Sequence, residues 1–421
     1  MKVAVIGAGA AGCFCAIELK RRMPSASVEV FESAPKALAK VAITGGGRCN
    51  LTNSFEGISS LSEAYPRGDK LMRCLFRSFD NNDTWRWFEN EGVRLVLQGD
   101  HCVFPASQNA MEIVNTLLAR MRQEGVVLRT KHKVTGIFPC HNNGGYKLSF
   151  PVPAEGPLLP NSQRQRDREY STDIVIVTTG GSPKLSTLGF LDAMNLEIIP
   201  PVPSLFTFNL PGSPVRELMG TVVENAGASL AGTRFKANGP LLITHWGMSG
   251  PAILKLSSYA ARYLADNEYT ATLSVNWFGD EGELDVRSRI QSLSKGGLQK
   301  LILNTHPSEL PSRLWHYLIS KCGIREDARW AELGSKGMNR LVNTLTNDEY
   351  QVRGRSRFKE EFVTCGGVAL SNINLSTLEC KTHPGLYFAG EVLDVDAITG
   401  GFNLQAAWSM GYVIAQSIAA K

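Results

Sequence analysis

The chain has no CxxC pair among its nine cysteines (13, 15, 49, 74, 102, 140, 322, 365, 380). That excludes the common zinc and redox-dithiol spacings, and no metal site is expected. Scattered single thiols fit a reducing compartment, so a cytoplasmic protein is expected rather than a disulfide scaffold. No apolar run reaches about 18 residues, the length that a membrane-spanning helix needs, so no membrane partner is expected. The first strand-like run begins at residue 2, which leaves no room for a signal peptide ahead of it. An excess of one charge is lacking too. The net charge of +5 permits a polyanionic partner without demanding one. Internal repeats are absent. What is present is a globular composition, 43% hydrophobic and 20% charged over 421 residues, with length enough for two or three domains.

The first 32 residues carry the clearest pattern. Lys2 to Ile6 is a short apolar run of strand character that enters Gly7-Ala8-Gly9-Ala10-Ala11-Gly12, and a helical stretch follows from Cys13 to about Arg22. A second strand, Val28 to Phe31, ends on Glu32. Strand, glycine turn, helix, strand and acid in this order make a dinucleotide site. Gly7 permits the tight turn, Gly9 lets backbone approach a pyrophosphate, and Gly12 lets helix and strand pack closely. The helix start offers N–H groups and a positive dipole end to the pyrophosphate. Glu32 is placed to accept hydrogen bonds from an adenosine ribose.

Further along, Ser33 to Asn53 contains Lys40 and Thr44-Gly45-Gly46-Gly47-Arg48-Cys49-Asn50. Three consecutive glycines exclude a stable helix or strand interior and expose backbone N–H groups. Residues 68–91 read as one helix and Met111 to Gln123 as another; Val126 to Arg129, Val134 to Phe138 and Tyr146 to Phe150 read as strands. Residues 151–169 read as a flexible surface loop. Ile174 to Val177 is wholly apolar and ends in Thr178-Thr179-Gly180-Gly181, as a buried parallel strand with its carboxyl end at the cofactor would.

Near residue 193 the character changes. Pro200 to Phe208, Val222 to Leu230 and Tyr269 to Phe278 are strand-like. Helices are expected at Pro251 to Leu264, about 285–303, 311–322 and Met338 to Leu345. A strand at Leu386 to Ala389 and a helix at Asn403 to Ala420 then return to the opening pattern. The expected architecture is α/β. A discontinuous Rossmann-like domain, 1–192 plus 361–421, carries a β-barrel-like insert at 193–360 with a helical piece at about 280–345.

The stretch Gly390-Glu391 through Asp394 to Gly400-Gly401-Phe402-Asn403-Leu404-Gln405 is a second glycine turn before a helix. In flavoproteins such a helix start stabilises the negative charge of reduced flavin, and Glu391 sits where an acid meets the ribityl or phosphate portion. Cys49 lies between Arg48 and Asn50. A nearby cation and exposed N–H groups would lower its pKa, making it a thiol that faces flavin or substrate as a proton donor; the other reading is a small residue packed under the flavin ring. Arg48 is a cofactor or substrate contact. His245 precedes a helix start where Ser249 and Gly250 either cap the helix or bind an anion, and His101 reads as structural. Arg353, Arg355, Arg357 and Lys359 alternate along one face of a strand. Such a stripe tracks a phosphate backbone or is a charged edge that resists strand addition.

Three blocks together, Gly7 to Gly12, Thr44 to Asn53 and Gly390 to Gln405, resemble the BaiN/RdsA family of bacterial FAD-dependent oxidoreductases. Thr244 to Pro251 and Val363 to Val368 are similar to family blocks as well, so the resemblance spans nearly the whole chain. It implies FAD, with Glu32 on the adenosine ribose, Val134 near the adenine and Asn403-Leu404 near the flavin. One departure is Leu38-Ala39-Lys40, where the family often has Gly-Arg-Lys; only Lys40 carries over. The resemblance implies one of three activities: reduction of a uracil C5=C6 bond in large-subunit ribosomal RNA, reduction of conjugated C=C bonds of 3-oxo bile acids, or aminoacetone oxidation. The first two share hydride transfer to an electron-poor alkene with a proton to the neighbouring carbon. The favoured expectation is NAD(P)H-linked reduction of a ribosomal RNA uracil. The alternatives are a small-molecule FAD oxidoreductase acting on an enone or amine, and a non-catalytic flavin-stabilised RNA-binding protein. No second GxGxxG is evident, so NAD(P)H is expected as a transient electron donor, if it is the donor at all. The oligomeric state is left open.

Overall fold

Lys2–Ile6 (β1), Ala10–Arg22 (α1) and Ser27–Phe31 (β2) form the unit that the opening pattern predicts. Val3 to Ile6 are buried because both faces of this sheet are covered, which is why the run is apolar without alternation. The computed structural model describes residues 1–140, 144–151, 168–182, 184–354 and 363–421. The chain divides into two compact units, Met1–Val202 with Val363–Lys421, and Pro203–Phe362.

In the first unit a five-stranded sheet runs in the order Leu386–Phe388, Ile174–Val177, β1, β2, Val127–Arg129. Every neighbouring pair is parallel, with Val3 opposite both Ile174 and Val28. The carboxyl ends of β1, Ile174–Val177 and Leu386–Phe388 therefore lie along one edge, where the Gly7 turn, the Thr178 turn and Gly390 meet. The C-terminal helix Phe402–Ala419 packs closely on α1: a Cβ on Gly411 would lie 3.1 Å from Ala11 O. Phe14, Trp87 and Trp408 fill the space beside this crossing, with ring centroids 4.7 and 5.5 Å from Phe14.

Residues 68–91 do not form one helix. The structure has Asp69–Leu75 and Asn81–Asn90, because Asp80 caps the second. Its side chain accepts from Asn82 N (2.8 Å) and Asp83 N (3.0 Å), while Asp83 accepts from Asp80 N (2.9 Å). This capping box stands in the sequence as Asp80-x-x-Asp83 and marks a start rather than an interior. An antiparallel sheet of Gly136–Pro139, Tyr146–Phe150 and Arg168–Thr172 includes a third strand that begins where the sequence pattern shows only loop. Residues 152–167 of that expected loop lie outside the described residues.

The second unit is built on a six-stranded antiparallel sheet in the order Phe208–Asn209, Gly247–Ser249, Lys236–Ile243, Val222–Leu230, Thr270–Asn276, Asp348–Arg353. Asn209 Nδ2 donates to Arg353 O (3.2 Å), so first and last strands meet and the sheet comes near to closing as a barrel. Lys236–Ile243 is a strand that the sequence does not announce, because Asn238-Gly239-Pro240 reads as a turn. The register shifts between Val223 and Ala226 of its partner strand, the irregularity that accommodates glycine and proline inside a strand. The helices Glu283–Lys295, Ser312–Lys321 and Gly334–Thr346 add Ile290, Trp315, Leu318 and Leu341 to the barrel's own core. The first stops well before 303 because Gly296-Gly297 follows it. Pro251–Tyr259 is likewise shorter than expected and is separated at Ala260 from Ala261–Asp266.

Candidate functional site

Three glycines shape the turn after β1, each differently. Gly7 sits at φ 107, and a Cβ there would lie 2.4 Å from Thr178 O. Gly12 is closed from the helix side, where a Cβ would meet Gly7 O at 2.1 Å and Thr178 Oγ1 at 2.5 Å. Gly9 has ordinary extended backbone (φ −87), and nothing lies within 4 Å of the place a Cβ would take. Glycine there leaves room for a ligand rather than for the protein. Ala10 and Ala11 then open α1, which has no acidic residue in its first turn and no side-chain cap. Its first N–H groups and positive dipole end are presented to an anion. These residues fit a pyrophosphate.

Glu32 folds its carboxylate back over this turn. Oε2 accepts from Ala8 N at 2.9 Å and Oε1 from Ala34 N at 2.7 Å. Ser33 Oγ also donates to Oε1 (3.2 Å); a carboxylate has about four acceptor positions, so capacity for a ribose hydroxyl remains. Val134 is buried in the loop after Val127–Arg129, and that loop is tied to the same place by His132 N donating to Glu32 O (2.8 Å). Gly180 follows Ile174–Val177 at φ 75 with open space at its Cβ position. Gly390 closes on α1, a Cβ there lying 3.4 Å from Ala11 Cβ. Glu391 Oε1 accepts from Thr364 N (2.7 Å), and its Oε2 stands 3.4 Å from Lys40 Nζ. Lys40 is 67% exposed, so this pair holds weakly.

The second half of the site interlocks two distant stretches. Gly45, Gly46 and Gly47 are at φ 57, 69 and 83, and the short helical segment Ala39–Gly47 loses helical geometry at Thr44. Arg48 is exposed, lies 4.5 Å over the Phe104 ring and donates from Nε to Gly45 O (3.1 Å), which leaves its outer N–H groups facing solvent. The Asn50 amide donates to Thr52 O (2.9 Å) and accepts from Gly401 N (3.2 Å). Thr52 Oγ1 donates to Gln405 Oε1 (2.5 Å), Asn53 Nδ2 to Gly400 O (3.0 Å) and Trp408 Nε1 to Leu51 O (2.9 Å). Gly401 is at φ 88, with the place of a Cβ 2.4 Å from Thr52 O. The start of Phe402–Ala419 is thus locked against Asn50 to Asn53. Asn403 brackets Ala397 with both amide atoms (2.9 and 3.0 Å), so its side chain shapes the loop, and what this helix start offers a ligand is the backbone N–H of Phe402, Asn403 and Leu404. Asp394 is half-buried, and its N–H donates to Val368 O (2.9 Å).

Cys49 corrects one expectation. It is fully buried at φ 62, its N–H donates to Thr44 O (2.9 Å), and burial pushes its thiol up to about 11 against a smaller lowering by Thr44. The neighbouring Arg48 does not lower it, because that guanidinium turns away onto Phe104. His245 stands exposed on the Thr244–Gly247 turn of the second unit, where its carbonyl accepts from Arg216 Nε (2.6 Å). Ser249 does not cap the following helix: its hydroxyl pairs with Thr207 at 2.8 Å, and Gly250 takes the cap position. His101 lies 3.4 Å from Ser54 Oγ and 3.6 Å from Glu56. Arg353 ends the last barrel strand on its exposed side, alternating with buried Val352 and Tyr350. Arg355, Arg357 and Lys359 lie outside the described residues. Among the described residues no cluster of metal-ligating side chains occurs, and no helix is long and apolar enough to cross a membrane.

Sequence reasoning missed Tyr65, Arg67 and Asp396. Tyr65 OH donates to Phe402 O (3.0 Å), and Arg67 pairs with buried Asp396. The only signal was an acid, Asp396, directly between Val395 and Ala397-Ile398, a position that calls for a cationic partner once buried.

Fold and site define the class, a Rossmann-type dinucleotide-binding protein. A family model described as "HI0933-like protein Rossmann domain" matches residues 1–417, and the chain belongs to that family. It is 28% identical to the Escherichia coli (strain K12) protein named "Ribosomal RNA dihydrouridine synthase", over 99% of this chain and 97% of that one. It is 26% identical to the Clostridium scindens "3-dehydro-bile acid delta(4,6)-reductase", over 99% of both. Among solved structures, the 3-ketosteroid-delta4-(5alpha)-dehydrogenase of Rhodococcus jostii RHA1 has the same fold, with TM-score 0.51 at 13% identity over 100% of this chain and 96% of that one.

Proposed function

We propose that the chain binds FAD and uses it, with NAD(P)H as transient electron donor, to reduce an activated C=C bond, the favoured substrate being a uracil of large-subunit ribosomal RNA. One observation carries the cofactor reading: the open space over Gly9 lies at the bare start of α1 beside the Glu32 carboxylate. An acid at that place serves an adenosine ribose, which FMN lacks. Flavin released by heat from purified protein should run as FAD against standards; FMN alone would refute the cofactor reading.

When bound, the flavin supplies a hydride to an electron-poor double bond. The accompanying proton comes from water, and the chain's own residues bind and orient cofactor and substrate. α1 and Glu32 would hold the pyrophosphate and ribose, Val134 would meet the adenine, and Lys40, Gly180, Glu391 and Asp394 would contact the rest of the cofactor. The start of Phe402–Ala419 supplies N–H groups and a positive dipole end that favour negative charge in the ligand. Arg48, which rests on Phe104 with donors left over, would polarise a carbonyl conjugated with the double bond. Cys49, protonated at neutral pH, packs beneath the loop that carries Arg48.

Ribosomal RNA is favoured because two curated relatives, 28% and 27% identical to this chain, bear the dihydrouridine synthase name. The run Arg353, Arg355, Arg357 would add phosphate contacts, and exposed His245 is a further candidate for contact with RNA. The enone reading is kept because the bile-acid reductase is 26% identical over the same length. Both substrates ask for the same hydride and proton.

A further inference from the structure

The segment from Ala64 to Gly68 holds the loop that leads into the C-terminal helix at three points. Ala64 O accepts from Ile398 N (2.9 Å). Tyr65 OH donates to Phe402 O (3.0 Å) at the helix start itself. Beyond them Arg67 meets Asp396 as a fork, Nε to Oδ1 at 2.5 Å and Nη2 to Oδ2, and the two residues also form an antiparallel backbone bridge. The Asp396 side chain is wholly buried and that of Arg67 is 11% exposed. Gly68, at φ 89, brings the backbone so close that a Cβ would lie 2.7 Å from a Val395 methyl.

A buried ion pair is a poor device for stability alone, since apolar side chains of equal volume fill the space as well. A two-bond guanidinium–carboxylate fork fixes direction and register instead. Here the object so fixed is the last stretch before Phe402. The other end of that stretch is held by Asn53 on Gly400 and Asn50 on Gly401. The helix start is therefore held from two sides, by residues 50–53 and by residues 64–68.

We propose that Arg67 and Asp396 are a positioning pair that sets where the start of Phe402–Ala419 points, and through it the preference of the site for reduced, negatively charged flavin. The inference rests on the FAD reading. Neither residue needs to touch the reacting atoms.

The test is an anaerobic redox titration of the FAD-loaded protein, run with thermal melting and with amide hydrogen exchange over residues 394–402 of the FAD-free protein. Arg67→Met leaves Asp396 buried without its guanidinium and should melt lower. The double variant Arg67→Met/Asp396→Leu removes both charges and should recover stability. Neither restores the fork, so both should lose about tenfold in preference for reduced over oxidised flavin, a negative shift of about 30 mV for a two-electron couple. Both should also exchange faster at 394–402. Should the double variant not fold, Arg67→Lys, which keeps the charge and loses the fork, carries the same test. A folded variant with the parent's potential and exchange would overturn the proposal and leave the pair as packing. A parent protein that holds no FAD would instead refute the cofactor reading, and the exchange result would still judge the bracket.

Discussion

Arg48 and Cys49 are neighbours in sequence with opposite fates. Cys49 takes φ 62 and turns inward; Arg48 turns outward onto Phe104. The residue types were legible from the chain, but which one turns outward was not, because it depends on the glycine geometry before them. We expect Cys49→Ala to leave substrate reduction little changed. Arg48→Met should slow it without loss of bound flavin, and single-turnover reduction rates of the two variants check this. A slowing of about 10²-fold in Cys49→Ala, the usual scale for a lost general acid, would reverse the assignment. The buried thiol also has a pH signature. Its ordinary value of 9.0 applies to the unfolded chain and about 11 to the folded one. Its contribution to stability is full below 9 and is lost as pH rises through about 11, because within that window the folded chain keeps a proton that the unfolded chain gives up. Melting curves from pH 8 to 11 should fall less steeply for Cys49→Ala than for the parent.

At the scale of elements, the glycine turn tests ligand space against protein packing. Gly12→Ala drives a Cβ into Gly7 O and Thr178 Oγ1, so it should lower the melting temperature and FAD content together. Gly9→Ala meets no protein atom within 4 Å. With open space for the added methyl it should fold with a loss of about 0.5 kcal/mol or less, yet retain FAD poorly. Normal FAD retention in a well-folded Gly9→Ala protein would mean that the space over Gly9 serves no ligand. The elements legible in the sequence were those with one strong local signal: β1 and α1 through the glycine pattern, Ile174–Val177 through its apolar run, Pro251–Tyr259 through its opening proline. Those missed were decided by partners. Lys236–Ile243 is a strand despite Asn-Gly-Pro because strands on both sides pair with it, and Arg168–Thr172 because Tyr146–Phe150 does. The break at Asp80 was readable as a capping box, but the apolar residues across it masked it.

At the scale of the whole molecule, the two glycine–helix elements at opposite ends of the chain belong to one parallel sheet, so the discontinuity of the first unit follows from strand order alone. The Arg67–Asp396 tie was hard to read because its partners are 329 residues apart, and nothing in the Gly390 to Gly401 stretch around Asp396 points to Arg67. The basic run divides the two substrate readings. Changing Arg353, Arg355 and Arg357 together to Gln should weaken binding of ribosomal RNA fragments and flatten the dependence on salt by roughly two to three units, about one for each phosphate no longer neutralised. FAD content should be unaffected. Filter binding at several salt concentrations measures this, and parental affinity and slope would leave the run as a charged edge and favour the enone reading.

The most direct measurement is a single turnover without oxygen. The FAD-loaded protein is bleached with NADPH, freed of excess donor, and mixed with large-subunit ribosomal RNA from cells that lack the protein. The account predicts that the flavin colour returns and that one dihydrouridine appears in the RNA for each flavin reoxidised. Flavin that stays bleached over unmodified RNA, while a conjugated enone restores its colour, would contradict the ribosomal substrate.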